Sequence, residues 1–317
     1  MRRFATLGLG ILLALGASRA ETQQYPQNPI RLVVPFAPGG GADLMARILA
    51  DPLAKRLGQP IVIENKPGGG ATLGADLVAK AAPDGYTLLW TTPGPQITNP
   101  YLMAKLPYDP NKDFTAVATV VTAVNVLVVT PSLPVKSVAD LIAYAKANPG
   151  KINFSSAGVG ASSHLSGEMF KLMAGVDIVH VPYRGSGPSL QDLLAGNVQM
   201  AIDTVAVLLP HIQSGGVRAL GVATIERNPT LPDLPPIAET LPGFDGSSIN
   251  YINGPAGMPQ PIVERLNAEI NAVLSDADVR KRMLVAGFTP IIESQPALVK
   301  RIADEQAKWK DVIGRIK

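Results

Sequence analysis

The chain has 317 residues, 28 of them basic and 25 acidic, and therefore a formal net charge of +3. It contains no cysteine, which excludes disulfides, thiolate nucleophiles and cysteine-ligated metals. Its length exceeds what one hydrophobic core usually supports and favours two domains. An apolar fraction of 46% with 17% charged residues is typical of a globular protein and excludes a disordered chain.

The first residues have the three parts of a secretory leader: a basic start at Arg2 and Arg3, an apolar run over residues 7–15, and small residues up to Ala20. The apolar run is too short to span a bilayer, and the pattern predicts export with cleavage after Ala20. Removal of residues 1–20 takes away three arginines and leaves 25 basic against 25 acidic groups. A chain with no net charge and no basic stripe is not expected to bind nucleic acid.

In the first third of the chain, short strand patterns alternate with glycine-rich loops and helical patterns. This alternation predicts βαβ units, and hence a parallel sheet covered by helices. The predicted strands are 30–36, 61–64 and 87–92, and the predicted helices are 44–57 and 73–82.

The same alternation starts again near Val124 and predicts a second unit of the same kind. Its predicted strands are 124–129, 152–155, 176–181, 198–202 and 220–224, and its predicted helices are 138–147, 163–173 and 190–194.

The repeated pattern predicts an α/β fold with two similar lobes, each a mostly parallel sheet flanked by helices. The proline-rich stretch 228–236 is the most linker-like part of the chain, and amphipathic helices follow at 261–274 and 296–313. In the simplest arrangement these helices return to the first lobe. We therefore expect a discontinuous first lobe, residues 21–122 and 225–317, and a second lobe of residues 123–224.

The signatures of common cofactor and catalytic sites are missing. The loop at 39–44 lacks the third glycine of a dinucleotide fingerprint, and the loop at 69–74 lacks the Lys and Ser or Thr of a phosphate-binding loop. No Gly-x-Ser-x-Gly motif marks a serine nucleophile. His164 and Glu168, four residues apart, provide only two of the ligands that a zinc site needs. We therefore expect no catalytic residue, no cofactor and no metal.

Three glycine-rich loops lead into predicted helices, at 37–43, 68–72 and 155–164. A helix start presents unpaired N–H groups and the positive end of the helix dipole, and glycine lets the backbone approach a ligand closely. Each loop alone is better explained as an ordinary βα turn. Three together, with hydroxyls at Thr72, Ser156, Ser162 and Ser163, favour a cleft for a small anion. Asp43 is the predicted cap of the first helix.

Eight segments, in order along the chain, resemble motifs of the Bug-type extracytoplasmic solute receptors of tripartite tricarboxylate transporters. The resemblance implies the type II fold of periplasmic binding proteins, with a ligand cleft between two lobes that close on a small organic acid. It also implies delivery of that acid to a membrane permease of one large and one small subunit. The matching segments are 38–47, 65–68, 82–89, 106–110, 163–165, 181–185, 231–233 and 255–257.

The resemblance also assigns the residues expected to line the cleft. The first-lobe loop would hold one carboxylate through backbone N–H groups and ordered waters, and the second-lobe loop would face the other end of the ligand. The assigned residues are Phe36, Ala37, Gly39, Gly40, Asp43, Thr72, Thr92, Gln96, Ser156, Gly160, Ser163, His164, Tyr183, Arg184 and Asp203. Gly40 is the glycine at which we expect a side chain, as in Gly40→Val, to abolish binding.

Some positions depart from the family pattern and bear on the ligand. Gln96 stands where a histidine is common, Pro95 replaces a hydroxyl, and Ala161 replaces a frequent serine. Fewer hydroxyl donors favour a mono- or dicarboxylate, aromatic acids included, over a highly oxygenated acid such as citrate. Two other functions fit the same scaffold: a periplasmic sensor that presents its acid to a membrane signalling protein, and an enzyme that acts on the acid.

Overall fold

The computed structural model of the protein describes residues 25–228 and 231–316. The predicted leader and its cleavage site lie outside the described residues. None of the helices in these two ranges has the length and apolar character needed to cross a membrane.

The strands, numbered along the chain, form two sheets. They are β1 (Ile30–Val34), β2 (Ile61–Asn65), β3 (Thr87–Thr91), β4 (Phe114–Ala123), β5 (Asn125–Val129), β6 (Asn153–Ser156), β7 (Val179–Pro182), β8 (Met200–Thr204), β9 (Arg218–Val222), β10 (Ser248–Pro255) and β11 (Phe288–Pro290). The first sheet has the order β11-β4-β10-β3-β1-β2, and the second has the order β7-β6-β8-β5-β9.

The helices flank these sheets. They are α1 (Gly41–Leu57), α2 (Thr72–Ala79), α3 (Asn99–Leu102), α4 (Val138–Ala147), α5 (Ser162–Ala174), α6 (Ser186–Leu194), α7 (Val205–Gln213), α8 (Gln260–Ser275), α9 (Ala277–Val285) and α10 (Gln295–Ile316). A π-helical turn at Gly94–Thr98 and a 3₁₀ turn at Ile237–Glu239 complete the list. The predicted two-lobed α/β fold is thus confirmed.

Each sheet is mixed rather than mostly parallel. The βαβ units give parallel pairs, with β1 between β2 and β3 and β6 between β7 and β8. The remaining pairs are antiparallel and involve the strands that carry the chain between the sheets. A single residue separates the end of β4, in the first sheet, from the start of β5, in the second sheet. The chain returns to the first sheet between β9 and β10. These two crossings place the C-terminal edges of the parallel strands of both sheets next to each other.

Local chemistry sets the helix ends that the sequence predicts well. Ser137 caps α4 by accepting a hydrogen bond from the Asp140 N–H at 3.0 Å. α1 ends at Gly58, whose φ of 72° is the left-handed conformation typical of glycine after a helix. The predicted helix 138–147 is therefore confirmed at both ends.

The C-terminal helices have different partners. α8 and α9 share the first-sheet core with α1 through buried residues such as Leu266, Ile270 and Met283. α10 packs on β4 and also on α5, and its Trp309 is buried in the same core as Phe154 of the second sheet. The last helix thus contacts both lobes.

Candidate ligand-binding site

A small cavity between the two sheets is lined by the starts of four helices. Gly41, Ser162 and Ser186 are the first residues of α1, α5 and α6, and Thr204 directly precedes α7. The cavity has a volume of about 40 Å³. The other lining residues are Phe36, Gly40, Ala42, Thr92, Ala123, Ala157, Ala161, Ser163, Asp203, Asn250 and Phe288.

These four helix starts are suited to an anion. None of the four has a side chain hydrogen-bonded to its first turn as an N-cap. The first-turn N–H groups of a helix have no intrahelical acceptor, and the helix dipole adds partial positive charge at this end. Convergence of four such ends on one cavity favours a carboxylate or a similar small anion.

The first lobe comes close to the second at Gly41. A Cβ atom on Gly41 would lie 2.8 Å from Thr204 Oγ1 and 3.0 Å from Phe288 Cζ. A Cβ on Gly40 would meet only the Ala37 carbonyl oxygen, at 3.8 Å. Gly41 therefore requires glycine for lack of space, whereas Gly40, where the sequence led us to expect the block, has room for a methyl group.

Asp43 lies in the first turn of α1, and the N-cap position is occupied by Gly40. Its carboxylate accepts hydrogen bonds at 3.0 Å from the Gly39 N–H, Asn65 Nδ2, and Nε and Nη2 of Arg47. Burial favours a raised pKa of Asp43, but Arg47 and the other donors hold this pKa below its ordinary value. Arg47 thus neutralises the charge of Asp43. The Gly39 N–H, which donates to Asp43, is not available to a ligand.

Asp203 ends β8 on the opposite side of the cavity and is only 4% exposed. It accepts a hydrogen bond from the Thr204 N–H at 2.7 Å and forms no ion pair within the part of the chain that the structure describes. Burial raises the pKa of Asp203, which the Ser186 hydroxyl and the Thr204 N–H oppose. A carboxyl group that retains its proton can donate a hydrogen bond to an acceptor in the cavity.

The loop between β6 and α5 is shaped by side chains that were predicted to contact the ligand. Ser163 Oγ accepts a hydrogen bond from the Ala157 N–H at 2.9 Å while lining the cavity. His164 Nδ1 accepts from the Gly160 N–H at 3.2 Å, and Ser156 Oγ accepts from the Gly158 N–H at 3.1 Å. Ser163 therefore lines the cavity, whereas His164 and Ser156 form hydrogen bonds within the loop.

The structure brings one third of the predicted site residues to the cavity wall. Thr92 is one of these, and its hydroxyl is buried without a hydrogen-bond partner among the described residues. The wall residues are Phe36, Gly40, Thr92, Ser163 and Asp203. The adjoining loops, outside the wall, contain Ala37, Gly39, Asp43, Ser156, Gly160 and His164.

The remaining four predicted residues have other roles. Gln96 Oε1 accepts hydrogen bonds from Tyr251 and Asn253, and its Nε2 donates to the Pro110 carbonyl at 3.0 Å, so its amide is used within the first lobe. The Thr72 hydroxyl donates to the Gly69 carbonyl. Tyr183 donates to Asp192, and Arg184 is exposed.

Several wall residues were not predicted. Thr204 directly follows the predicted Asp203, and Ser186 lies two residues after the predicted Arg184, so the local motifs could have included them. Asn250 and Phe288 come from β10 and β11, far along the chain, and only sheet pairing brings them to the cavity. No local sequence signal marks these two.

A larger concavity of about 560 Å³ lies on the outer face of the second lobe. It is lined by apolar residues such as Leu209 and Ile212 in the last turns of α7, where the helix presents its carbonyl end. The nearby Arg218 guanidinium already donates to the carbonyls of Leu133 and Val135 at 3.0 Å. This surface is therefore less suited to an anion than the inter-lobe cavity.

Two α/β lobes around an anion-adapted cavity define a solute-binding protein of the periplasmic-binding-protein type. The profile of the TctC family, "Tripartite tricarboxylate transporter family receptor", matches residues 45–317. The chain belongs to this family of receptors. A curated relative, protein BugT of Bordetella pertussis (strain Tohama I), is 38% identical over 98% of this chain and 96% of its own length.

Solved structures agree with this membership. A structure described as R. palustris Rpa4515 with adipate superposes with a TM-score of 0.90 at 38% identity, covering 92% of this chain and 98% of that one. MatC from Rhodopseudomonas palustris with bound malate gives 0.86 at 36% identity, with coverages of 91% and 100%. The periplasmic binding protein BugD gives 0.85 at 34% identity, with coverages of 92% and 98%. The predicted resemblance to Bug-type receptors is confirmed.

Proposed function

We propose that this chain is a periplasmic receptor that closes on a small organic acid and delivers it to a tripartite tricarboxylate-type permease of one large and one small subunit. The observation that carries the proposal is the convergence of four uncapped helix starts on one cavity. The bound adipate and malate of the two related structures support a carboxylate ligand. In this proposal residues 1–20 direct export and are removed, and the lobes are 21–122 with 225–317, and 123–224.

The ligands of two related structures favour an aliphatic acid over an aromatic one, since adipate and malate are both aliphatic dicarboxylates. The cavity of about 40 Å³ has room for about one water molecule, so the lobes must open to admit an acid of either kind. The N–H groups of the helix starts would hold one carboxylate, and Asp203, when protonated, would donate to an oxygen of the ligand. We therefore propose an aliphatic mono- or dicarboxylate with few hydroxyl groups.

A screen of carboxylic acids by thermal shift, followed by calorimetry, tests this function. A ligand that binds only the folded chain raises its stability by RT ln(1 + [L]/Kd), so an acid at 100 Kd adds about 2.7 kcal/mol. The matched control for each acid is its amide, which keeps the shape and loses the charge. We expect one acid bound per chain and no shift with the amide. Failure of every mono-, di- and tricarboxylate to raise the melting temperature would contradict the proposal.

The proposed transport role differs from sensing and from catalysis in what happens after binding. A transport receptor is expected to co-purify with a permease, whereas a sensor would co-purify with a signalling protein. A receptor also returns its acid unchanged, and mass spectrometry of the acid recovered from the protein measures this. Conversion of the bound acid on incubation would contradict the receptor function and support an enzyme.

A further inference from the structure

Two histidines and a glutamate meet beside the loop that borders the cavity. His164 and Glu168 lie one turn apart on α5, and His180 lies on β7, against which α5 packs. One potential ligand atom from each of the three side chains lies within 4.8 Å of the other two. His164 Nε2 and Glu168 Oε1 are 3.9 Å apart. The fold thus adds a third ligand to the pair that the sequence showed.

Each histidine of the cluster uses one ring nitrogen in a hydrogen bond. His164 Nδ1 accepts from the Gly160 N–H at 3.2 Å, and His180 Nε2 lies 2.6 Å from Ser156 Oγ. The second nitrogen of each ring has no hydrogen-bond partner among the described residues. The half-buried Glu168 carboxylate forms no hydrogen bond among the described residues, and Lys171 on the same helix provides a nearby positive charge without an ion pair. A divalent cation would give this carboxylate a direct partner.

We propose that His164, Glu168 and His180 form a site for a divalent transition metal such as Zn²⁺. Two imidazole nitrogens and one carboxylate oxygen are a ligand set that Zn²⁺ prefers, whereas Mg²⁺ and Ca²⁺ prefer oxygen ligands alone. Tetrahedral Zn²⁺ with bonds of about 2.1 Å places its ligand atoms about 3.4 Å apart. The present separations of up to 4.8 Å must shorten to reach that geometry, and the fourth position is left to water or an exogenous ligand.

Metal binding at this site is coupled to the cavity loop. The Gly160 N–H donates to His164 Nδ1, so the proton of the neutral ring is on Nε2, the nitrogen nearest Glu168. Zn²⁺ bound at Nε2 leaves the ring proton on Nδ1, where it faces the Gly160 N–H, and that hydrogen bond breaks. Gly160 contacts the first lobe, since its carbonyl accepts a hydrogen bond from Thr98 at 3.3 Å. Zn²⁺ is therefore expected to loosen the contact between the lobes.

Zinc titration of chelator-treated protein without a polyhistidine tag tests the site. We expect one Zn²⁺ per chain by calorimetry and elemental analysis, no binding of Mg²⁺, and proton release on binding. The variants His164→Gln, Glu168→Gln and His180→Gln are expected to bind Zn²⁺ at least about 100-fold more weakly. The matched control is His211→Gln, because His211, the third histidine of the chain, lies on α7 outside the cluster.

Thermal unfolding of each variant without metal shows whether the variant is folded. If a histidine variant is unfolded, the test of the site rests on Glu168→Gln, which keeps the shape of the side chain. Absence of stoichiometric Zn²⁺ binding, or equal binding by wild type and Glu168→Gln, would overturn the site. A second measurement rests on the proposed function: an acid found in the screen should bind several-fold more weakly in saturating Zn²⁺, and by reciprocity should weaken Zn²⁺ binding equally. Unchanged acid affinity would overturn the coupling, whereas absence of acid binding without Zn²⁺ would count against the proposed function alone.

Discussion

Two buried aspartates stand beside the cavity, one from each lobe, in opposite electrostatic surroundings. Asp43 is 3% exposed and accepts hydrogen bonds from Arg47, Asn65 and the Gly39 N–H. Asp203 is 4% exposed and accepts one from the Thr204 N–H without an ion pair among the described residues. The pKa of Asp43 is lowered by its donors, and the pKa of Asp203 is raised by burial.

The difference shows how one cavity can combine an anion site with two acidic side chains. The first lobe neutralises its carboxylate with Arg47, so the first turn of α1 keeps its positive character. In the second lobe, burial raises the pKa of Asp203 and so favours its protonated form. In that form the carboxyl group donates a hydrogen bond instead of repelling an anion. Both arrangements lower the cost of bringing an organic anion between the lobes.

The largest effect on acid binding is expected from a substitution that keeps the two lobes apart at the cavity. Gly41→Ala places a methyl group where it would meet Thr204 and Phe288, at 2.8 and 3.0 Å. Overpacking of this kind costs up to about 3 kcal/mol, so we expect acid affinity to fall by about 100-fold in calorimetry. Gly40→Ala, one residue earlier, has room for its methyl group and should bind nearly as the wild type does. Equal loss in both variants would contradict the importance of close approach at Gly41.

Removal of the first aspartate is expected to cost stability. Asp43→Ala removes the acceptor of the Gly39 N–H and one of the two acceptors of Asn65 Nδ2, and we expect a loss of about 2 kcal/mol in urea unfolding at pH 7. Because the folded pKa of Asp43 is lowered, its stabilisation is present above the unfolded pKa and disappears as the pH falls through the folded pKa. The gap to wild type should therefore close in acid, and Asp43→Asn, which keeps an acceptor, should lose less.

Neutralisation of Asp203 is expected to raise the stability of the protein instead of lowering it. The raised folded pKa of Asp203 means that wild-type stability declines as the pH rises from the unfolded pKa towards the folded one. Asp203→Asn removes this decline, and we expect it to gain about 1 kcal/mol at pH 7 with little change at pH 3. Urea unfolding across this pH range measures the difference. A loss of stability at pH 7 would show that the carboxylate is the favoured form at this site.

The substitution with the smallest expected effect makes the surroundings of Asp43 resemble those of Asp203. Arg47→Gln removes the cation beside Asp43, and the pKa of Asp43 should rise in an NMR titration. The Arg47 side chain is 54% exposed, so we expect only about 0.5 kcal/mol lost at pH 7. Arg56→Gln is the control, because Arg56 is also on α1 but pairs with Glu269. An unchanged Asp43 pKa in Arg47→Gln would assign the shift to the Gly39 and Asn65 donors.

The sequence predicted elements well where their ends are marked locally. Helix α4 lies between the Ser137 cap and the Pro149-Gly150 stop, and its predicted bounds match the structure. β4 and β10 were not predicted. β4 continues into β5 as one apolar run, and only pairing with different sheets separates them at Val124. The mixed character of the sheets follows from the same crossings.

By itself the sequence determined the two-lobed α/β plan and the family, and it singled out two of the glycine loops that border the inter-lobe cavity, because these depend on periodicity, on turn residues and on motifs read in order. The tertiary structure decided which glycine has no room for a side chain, which aspartate pairs with a cation, and which distant residues complete the wall of the cavity. It also placed His180 beside His164 and Glu168. Each of these depends on contacts between residues far apart in the chain, which the local pattern does not specify.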